Sequence, residues 1–230
     1  MSHPVSPYLA PGFYEDALAK GRHRDIVGGR WDETGRIQMQ ILRDAGLQPH
    51  HRLLDIGAGS LRLGCKAVPF LDPGHYWATD ASLALMLRGR ALELPDPDRL
   101  PLDQLIEDFS FDLTGVPPTI DFAIAFGVFT HLPFPALTLA LPKIRSRLTH
   151  LKTLLFTVFC APDDQSSGAY RQKDGVVTHP DRPPYHFRLS EVESACRSQF
   201  STVQAMTTLL PRGQILIAAK PTPCLAANQP

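Results

Sequence analysis

The residues best placed to do chemistry lie in one stretch, Leu53-Leu54-Asp55-Ile56-Gly57-Ala58-Gly59-Ser60-Leu61-Arg62-Leu63-Gly64. A hydrophobic strand runs into two glycines spaced by one residue, and the chain then opens a helix. Glycine at these two points permits a tight turn with positive φ and lets a ligand approach the backbone with no Cβ in the way. A second strand, Tyr76-Trp77-Ala78-Thr79-Asp80, ends on a carboxylate 21 residues beyond Gly59. An acid at about that distance grips the two hydroxyls of a ribose. The same residues also admit a simpler reading, a tight strand-to-helix connection with Asp80 capping the next helix.

The choice of nucleoside follows from the neighbouring residues. A dinucleotide fingerprint carries a third glycine for close helix-strand packing, with a pyrophosphate at the helix N-terminus. Arg62 stands at that third position, which argues against NAD and FAD. Asp55, two residues before Gly57, puts a negative charge at the mouth of the strand. It would repel a pyrophosphate and attract an ammonium or sulfonium group. S-adenosylmethionine carries both.

These residues need a scaffold. Apolar runs at 52–56, 76–80, 104–108, 120–126, 153–159, 202–209 and 214–219 predict seven strands. The first five are nearly continuous in apolar character, as expected of strands covered on both faces. Helix-sized stretches at 61–68, 82–94 and 134–148 lie between them, the third interrupted by Pro142. Such alternation predicts an α/β fold: a Rossmann-like, seven-stranded, mostly parallel sheet with helices on both faces. The short Pro211-Arg212-Gly213 turn closes the last two strands as a C-terminal antiparallel hairpin. Upstream, residues 31–47 have helical apolar spacing, with Ile37, Ile41, Leu42 and Ala45 on one face. Residues 1–50 are therefore read as N-terminal lid or flanking helices, and 51–230 as the S-adenosylmethionine-binding catalytic domain. The segment 160–188 is read as one long irregular loop, the kind that is usually functional.

The stretch from Leu53 to Gly59 resembles the first motif of the class I S-adenosylmethionine-dependent methyltransferases, and Tyr76 to Ser82 resembles their second. Asp121-Phe122-Ala123-Ile124-Ala125-Phe126-Gly127-Val128-Phe129-Thr130-His131-Leu132-Pro133 is similar to their fourth-strand motif. The resemblance implies that Asp55, Gly57, Ala58 and Gly59 line the methionine part of the cofactor. It further implies that Asp80 with Ala81 takes the ribose, Asp108 with Phe109 the adenine, and that Phe126 and Gly127 lie beneath the sulfonium. The family's usual proline-glycine-glycine turn after the fourth helix is replaced here by Leu148-Thr149-His150-Leu151-Lys152, a change in a connection rather than in the site.

In an open α/β sheet ligands bind beyond the carboxyl ends of the strands. His131 belongs to that edge, where a neutral imidazole can take a proton from an acceptor hydroxyl or amine; capping or packing under the lid is the other reading. Tyr170, His179, Asp181, Arg182, Tyr185, His186 and Arg188 are offered by the long loop as acceptor contacts, with Tyr185 as the orienting group. Pro183-Pro184-Tyr185 resembles the motif of amine and nucleic-acid N-methyltransferases only superficially, because in those it directly follows the fourth strand. Trp31, Glu33 and Gln38 are placed to close over the cofactor.

Composition narrows the partners. Lysine plus arginine (23) equals aspartate plus glutamate (23), so no net field favours nucleic acid or an anionic membrane over a small molecule. Cys65, Cys160, Cys196 and Cys224 are far apart and lack metal or dithiol spacing, so no metal is expected. No run of about 18 apolar residues occurs, and a cytoplasmic monomer or homodimer is the expectation. The expected activity is O- or N-methylation of a small molecule. The alternative is a cyclase resembling azetidine-2-carboxylate synthases, in which the cofactor's own amine displaces methylthioadenosine.

Overall fold

In the computed structural model, which describes residues 6, 8, 10–206 and 210–222, the N-terminal part forms α1 (Phe13–Ala19) and α2 (Trp31–Asp44). The chain continues as β1 (Leu53–Ile56), α3 (Gly64–Phe70), β2 (Tyr76–Asp80), α4 (Leu83–Glu93), β3 (Leu105–Glu107), β4 (Phe122–Ala125), α5 (Phe134–Arg147) and β5 (Thr153–Cys160). Three short strands follow, β6 (Tyr170–Arg171), β7 (Val177–Thr178) and β8 (His186–Phe187), and then α6 (Leu189–Arg197), β9 (Thr202–Met206) and β10 (Ile215–Lys220).

The main sheet has the order β3-β2-β1-β4-β5-β10-β9. Its first five strands are parallel, and β10 runs antiparallel to both β5 and β9. This is the expected seven-stranded sheet with its terminal hairpin, extended by β8, which pairs with the end of β5. Alternation of side chains across a strand explains why the central strands are apolar throughout. On β1, Leu54 and Ile56 pack with Leu137, Ile144 and Val192 of α5 and α6. Leu53, one residue before Leu54 and so on the opposite face, packs in the other layer with Met39, Leu42 and Ala67 of α2 and α3. Each fully buried side chain of this kind contributes roughly 1.5–3 kcal/mol.

Several boundaries differ from the sequence expectation for local reasons. The helix expected at 61–68 starts only at Gly64, because Leu61 adopts φ +63° inside the glycine turn. The strand expected at 104–108 is shorter, since Gln104 closes a 3-10 turn and its amide donates to Gly74 O at 2.7 Å. Helix α5 runs through Pro142 unbroken. Pro142 and Thr138, whose carbonyl loses its partner to the proline, are both exposed, so water can serve that carbonyl. In the expected strand at 202–209, residues 207–209 lie outside the described residues, as does Cys224. The segment 160–188 is not irregular: it holds the β6-β7 hairpin and β8. Cys65, Cys160 and Cys196 are free thiols. No helix among the described residues is long and apolar enough to cross a membrane.

Helix α4 is seated directly on the glycine turn. A Cβ at Gly89 would come within 2.2 Å of the Ser60 carbonyl oxygen. Helix propensity alone predicts that Gly89→Ala stabilises by about 1 kcal/mol, whereas overpacking against backbone costs about 1–3 kcal/mol. Denaturant unfolding of Gly89→Ala should therefore show a net loss of stability; a gain would show that α4 can lift off the turn freely.

Candidate functional site

The carboxyl edge of β1, β2 and β4 opens into a cavity of about 230 Å³. Its floor begins at the glycine turn. Gly57 and Gly59 have φ +71° and +57°, and a Cβ at either would lie 2.4 Å from a valine methyl, Val128 and Val27 respectively. The space freed by these glycines is thus taken by protein packing that draws the turn against its neighbours. Gly127 differs, because a Cβ there would meet nothing within 4 Å. The Gly57 and Ala58 amides both donate to Thr79 O, at 2.7 and 3.0 Å, tying the turn to β2.

Asp80 ties the glycine turn to the start of α4 without capping the helix itself. Its Oδ2 accepts from Gly59 N at 2.8 Å and its Oδ1 from Ser82 N at 3.0 Å, while Ser82 caps α4 by accepting from Leu85 N. It also lines the cavity. Burial raises its pKa to about 6, against the pull of those amide donors. Asp55 is 2% exposed and also lines the cavity, its Oδ2 accepting from the Tyr76 hydroxyl at 2.7 Å. Burial raises it to about 7, opposed by the Tyr76 hydrogen bond and the Arg62 charge and reinforced by Asp80. Among the described residues neither carboxylate has a basic side chain within ion-pair distance.

Ala58, Ala81, Asp108, Phe109, Phe126 and Gly127 line the same cavity, as expected. Asp108 has its carboxylate turned into its own loop, accepting from the amides of Ser110 and Leu113 at 2.8 Å each. Phe109 is 74% exposed and stands at the rim with one face free for a planar ring. The turn after β4 is fixed by Thr157 Oγ1, which accepts from Gly127 N at 2.8 Å, and by Thr130 Oγ1, which donates to Gly127 O at 2.8 Å.

His131 follows that turn and lines the cavity with Nδ1 buried and without a partner among the described residues. Burial, assisted by the Arg212 charge, lowers its pKa to about 4. The imidazole is therefore neutral throughout the physiological range, though a weaker base than an exposed histidine. Its ring meets that of Tyr8 edge-on at 5.0 Å.

Three expectations are corrected. Trp31 does not reach the cavity; its ring carries the Arg24 guanidinium at 5.0 Å on the outer side, and Glu33 is exposed, while Arg30, Thr34 and Gln38 face inward. Tyr185 is 4% exposed and packs in the core layer with Phe187 and Val192, so its ring is structural. The polar residues of segment 160–188 mostly hold the segment itself: His186 Nδ1 lies 2.9 Å from Thr178 Oγ1, and Arg188 Nε donates to Ser166 Oγ at 2.8 Å. Only Val176 and Pro184 from that segment line the cavity.

The largest contribution missed by sequence reasoning comes from the N-terminal flank, with Ser6, Tyr8, Tyr14, Val27, Gly28 and Arg30 as lining residues. Burial raises the pKa of both tyrosines, with the Asp80 charge adding to it, so their hydroxyls stay protonated. The flank is strapped down at several points. Arg62 donates to Val27 O at 2.7 Å, Arg212 to Gly28 O at 2.7 Å and Ser60 to His23 O at 2.7 Å. Glu93 on α4 accepts from Arg24 at 2.6 and 2.7 Å and lies 2.7 Å from His23 Nε2. Strain marks the same place: Arg30, Phe111 and Arg212, with φ +47°, +60° and +66°, line the cavity. No local sequence pattern announces such a flank, because its residues meet the turn only in three dimensions.

No protein-family model matches the chain, and no curated protein matches its sequence. Solved structures do match. A candidate O-methyltransferase from Nostoc punctiforme superposes with a TM-score of 0.61 at 17% identity, over 94% of this chain and 62% of that one. The chain thus spans less than two thirds of the Nostoc protein. Magnesium protoporphyrin IX methyltransferase from Synechocystis, with bound S-adenosylmethionine, gives 0.53 at 14% identity over 93% of each chain. The complex of DhpI with S-adenosylhomocysteine gives 0.55 at 15% identity, over 93% of this chain and 99% of that one. The likeness establishes the fold, that of the Rossmann-like methyltransferases.

Folding leaves Asp55 and Asp80 protonated where the unfolded chain has already released their protons. Their contribution to stability is accordingly present below about pH 4 and lost as pH rises through about 6 and 7. Tyr76→Phe removes a hydrogen bond that favours the Asp55 carboxylate. A carboxyl-carbon NMR titration should find the Asp55 pKa moved above its value of about 7 in the parent protein; an unchanged or lower value would show that the Tyr76 bond does not set it.

Proposed function

We propose that this chain is an S-adenosylmethionine-dependent methyltransferase acting on a small-molecule acceptor. The observation that carries this reading is the pair of buried carboxylates, Asp55 and Asp80, facing a cavity without an ion-pair partner among the described residues. Such groups call for a cationic, hydroxylated ligand. The residues fit the cofactor: Asp80 has lone pairs left for a ribose diol, the free Phe109 face suits an adenine ring, and the open space at Gly127 admits the sulfur end. Asp55 and Arg62 complement the ammonium and carboxylate of its amino-acid part. The similar structures of known methyltransferases support the same reading.

When bound, the cofactor supplies an electrophilic methyl carbon on a sulfonium. The protein's own work is then positioning, which contributes most when the reacting atoms are held in line. Phe126 and the Gly127 turn set the floor beneath that carbon, and His131 stands beside it with an unsatisfied Nδ1. A neutral imidazole there would accept a hydrogen bond from the acceptor's hydroxyl or amine and take its proton as the acceptor gains the methyl group, the S–C bond breaks and S-adenosylhomocysteine leaves. The N-terminal flank, through Tyr8 and Tyr14, closes the cavity from above and excludes water, so turnover requires its straps to open. Balanced charge favours a small acceptor over nucleic acid.

Screening small-molecule acceptors with S-adenosylhomocysteine release as the readout tests the reading. With an acceptor in hand, His131→Ala should lower kcat by at least about tenfold and leave cofactor affinity near that of the parent, since a positioned base contributes about 10²–10⁴-fold. His131→Gln, which keeps a hydrogen-bonding group, should recover part of the loss. Normal turnover of His131→Ala would remove the proton-transfer role. Release of methylthioadenosine from cofactor alone would assign the chain to the cyclase chemistry instead.

A further inference from the structure

The strand order divides the cavity's charges. Asp55, Asp80 and Asp108 lie at the ends of β1, β2 and β3, one side of the sheet. Across β4 and β5, where β10 begins, the lining residues are Arg212 and Gln214, with His131 after β4 and Phe159 on β5. Antiparallel pairing of Ile215 with Val158 brings this connection to the same carboxyl edge as the acids. At roughly 4.8 Å per strand, β10 stands about 14 Å from β1, beyond a group bound over the glycine turn.

Two buried polar atoms on this far side have no partner among the described residues. Arg212 has φ +66° and donates one guanidinium nitrogen to Gly28 O at 2.7 Å. No carboxylate among the described residues lies within ion-pair distance of it. Gln214 is 8% exposed, and its Oε1 is buried without a partner among the described residues, as is His131 Nδ1. Arg212 is exposed at the rim, with guanidinium donors beyond the one given to Gly28 O, and it stands by two buried acceptors that lack a partner among the described residues, an arrangement that suits an anion carrying a hydrogen-bond donor. Arg62, by contrast, is committed to Val27, Gly29 and Gln38 and lies near Asp55, so it belongs to the cofactor end.

We propose that Arg212 binds the carboxylate of a small organic acid whose hydroxyl or amine donates toward Gln214 Oε1 and His131 Nδ1, so that the acceptor is such an acid. The planar fork of Arg212 matches a carboxylate, and the apolar walls of Phe159, Val176 and Pro184 suit the acid's hydrocarbon or aromatic body. Bound there, the acid presents its hydroxyl or amine toward His131 and the Gly127 turn. This rests on the methyl-transfer reading for the chemistry, whereas the anion subsite is testable without it.

Ligand-observed NMR titrations with benzoate and its neutral isostere benzamide, on the full chain with and without S-adenosylhomocysteine, separate the two. Benzoate should bind the parent protein more tightly than benzamide. Arg212→Gln should weaken benzoate by at least about tenfold, as expected for a hydrogen bond to a charged group, with benzamide and S-adenosylhomocysteine weakened far less, through the lost tie to Gly28 alone, and Arg212→Lys intermediate for benzoate. A purely structural Arg212 would alter both probes alike. The proposal is overturned if benzoate has no advantage over benzamide, if Arg212→Gln leaves it intact, or if S-adenosylhomocysteine weakens in parallel, which would assign Arg212 to the cofactor. Arg212-dependent benzoate binding in a protein that fails to bind S-adenosylhomocysteine would sink the proposed function and leave the subsite standing.

Discussion

Burial of two carboxylates at the mouth of the sheet is the constraint on which the site depends. Removing such groups from water disfavours their charged form, and only hydrogen-bond donors or a nearby cation restore it. Among the described residues the donors are few: the Tyr76 hydroxyl for Asp55, and the Gly59, Ser82 and Ala81 amides for Asp80. They restrain the pKa values without returning them to the ordinary carboxylate range. The protein therefore holds an electrostatic deficit at the place where an open α/β sheet binds its ligands. A ligand carrying fixed positive charge relieves it.

The architecture around these acids keeps them buried. β1 ends in a turn that only glycine can make at Gly57, α4 sits against Ser60 with no room for a side chain at Gly89, and the N-terminal flank is tied over the top through Arg62, Ser60, Glu93 and Arg212. Arg62 links these tasks. It crosses from the glycine turn to the flank, and its charge bears on Asp55. Arg212 makes the corresponding tie from the far side, so a change in cavity occupancy bears on both straps of the flank.

The cofactor half of this arrangement was legible in the sequence because it is local. Gly57, Gly59 and Asp80 are fixed by the ends of two adjacent strands, and apolar runs locate those strands whatever lies elsewhere. Segment 160–188 misled for the opposite reason. Tyr185, His186 and Arg188 look like surface chemistry in the sequence, yet β8 adds to the edge of β5 and turns His186 and Tyr185 inward. Trp31 was misplaced by one helical face: Thr34 and Gln38, further along α2, point into the cavity, while Trp31 faces Arg24. Tyr8, Tyr14 and Arg212 carry no pattern that points to a site, since they meet at the cavity only in three dimensions.

The central claim is that Asp55 and Asp80 are held partly protonated until a cationic cofactor draws them into the charged form. Calorimetric titration with S-adenosylmethionine at pH 6.5, in two buffers of different ionisation enthalpy, measures the protons exchanged on binding. Release of about one proton, falling toward zero above pH 8, is the result the account predicts. Binding without proton release at pH 6.5, or binding that tightens as the pH is lowered, would contradict it.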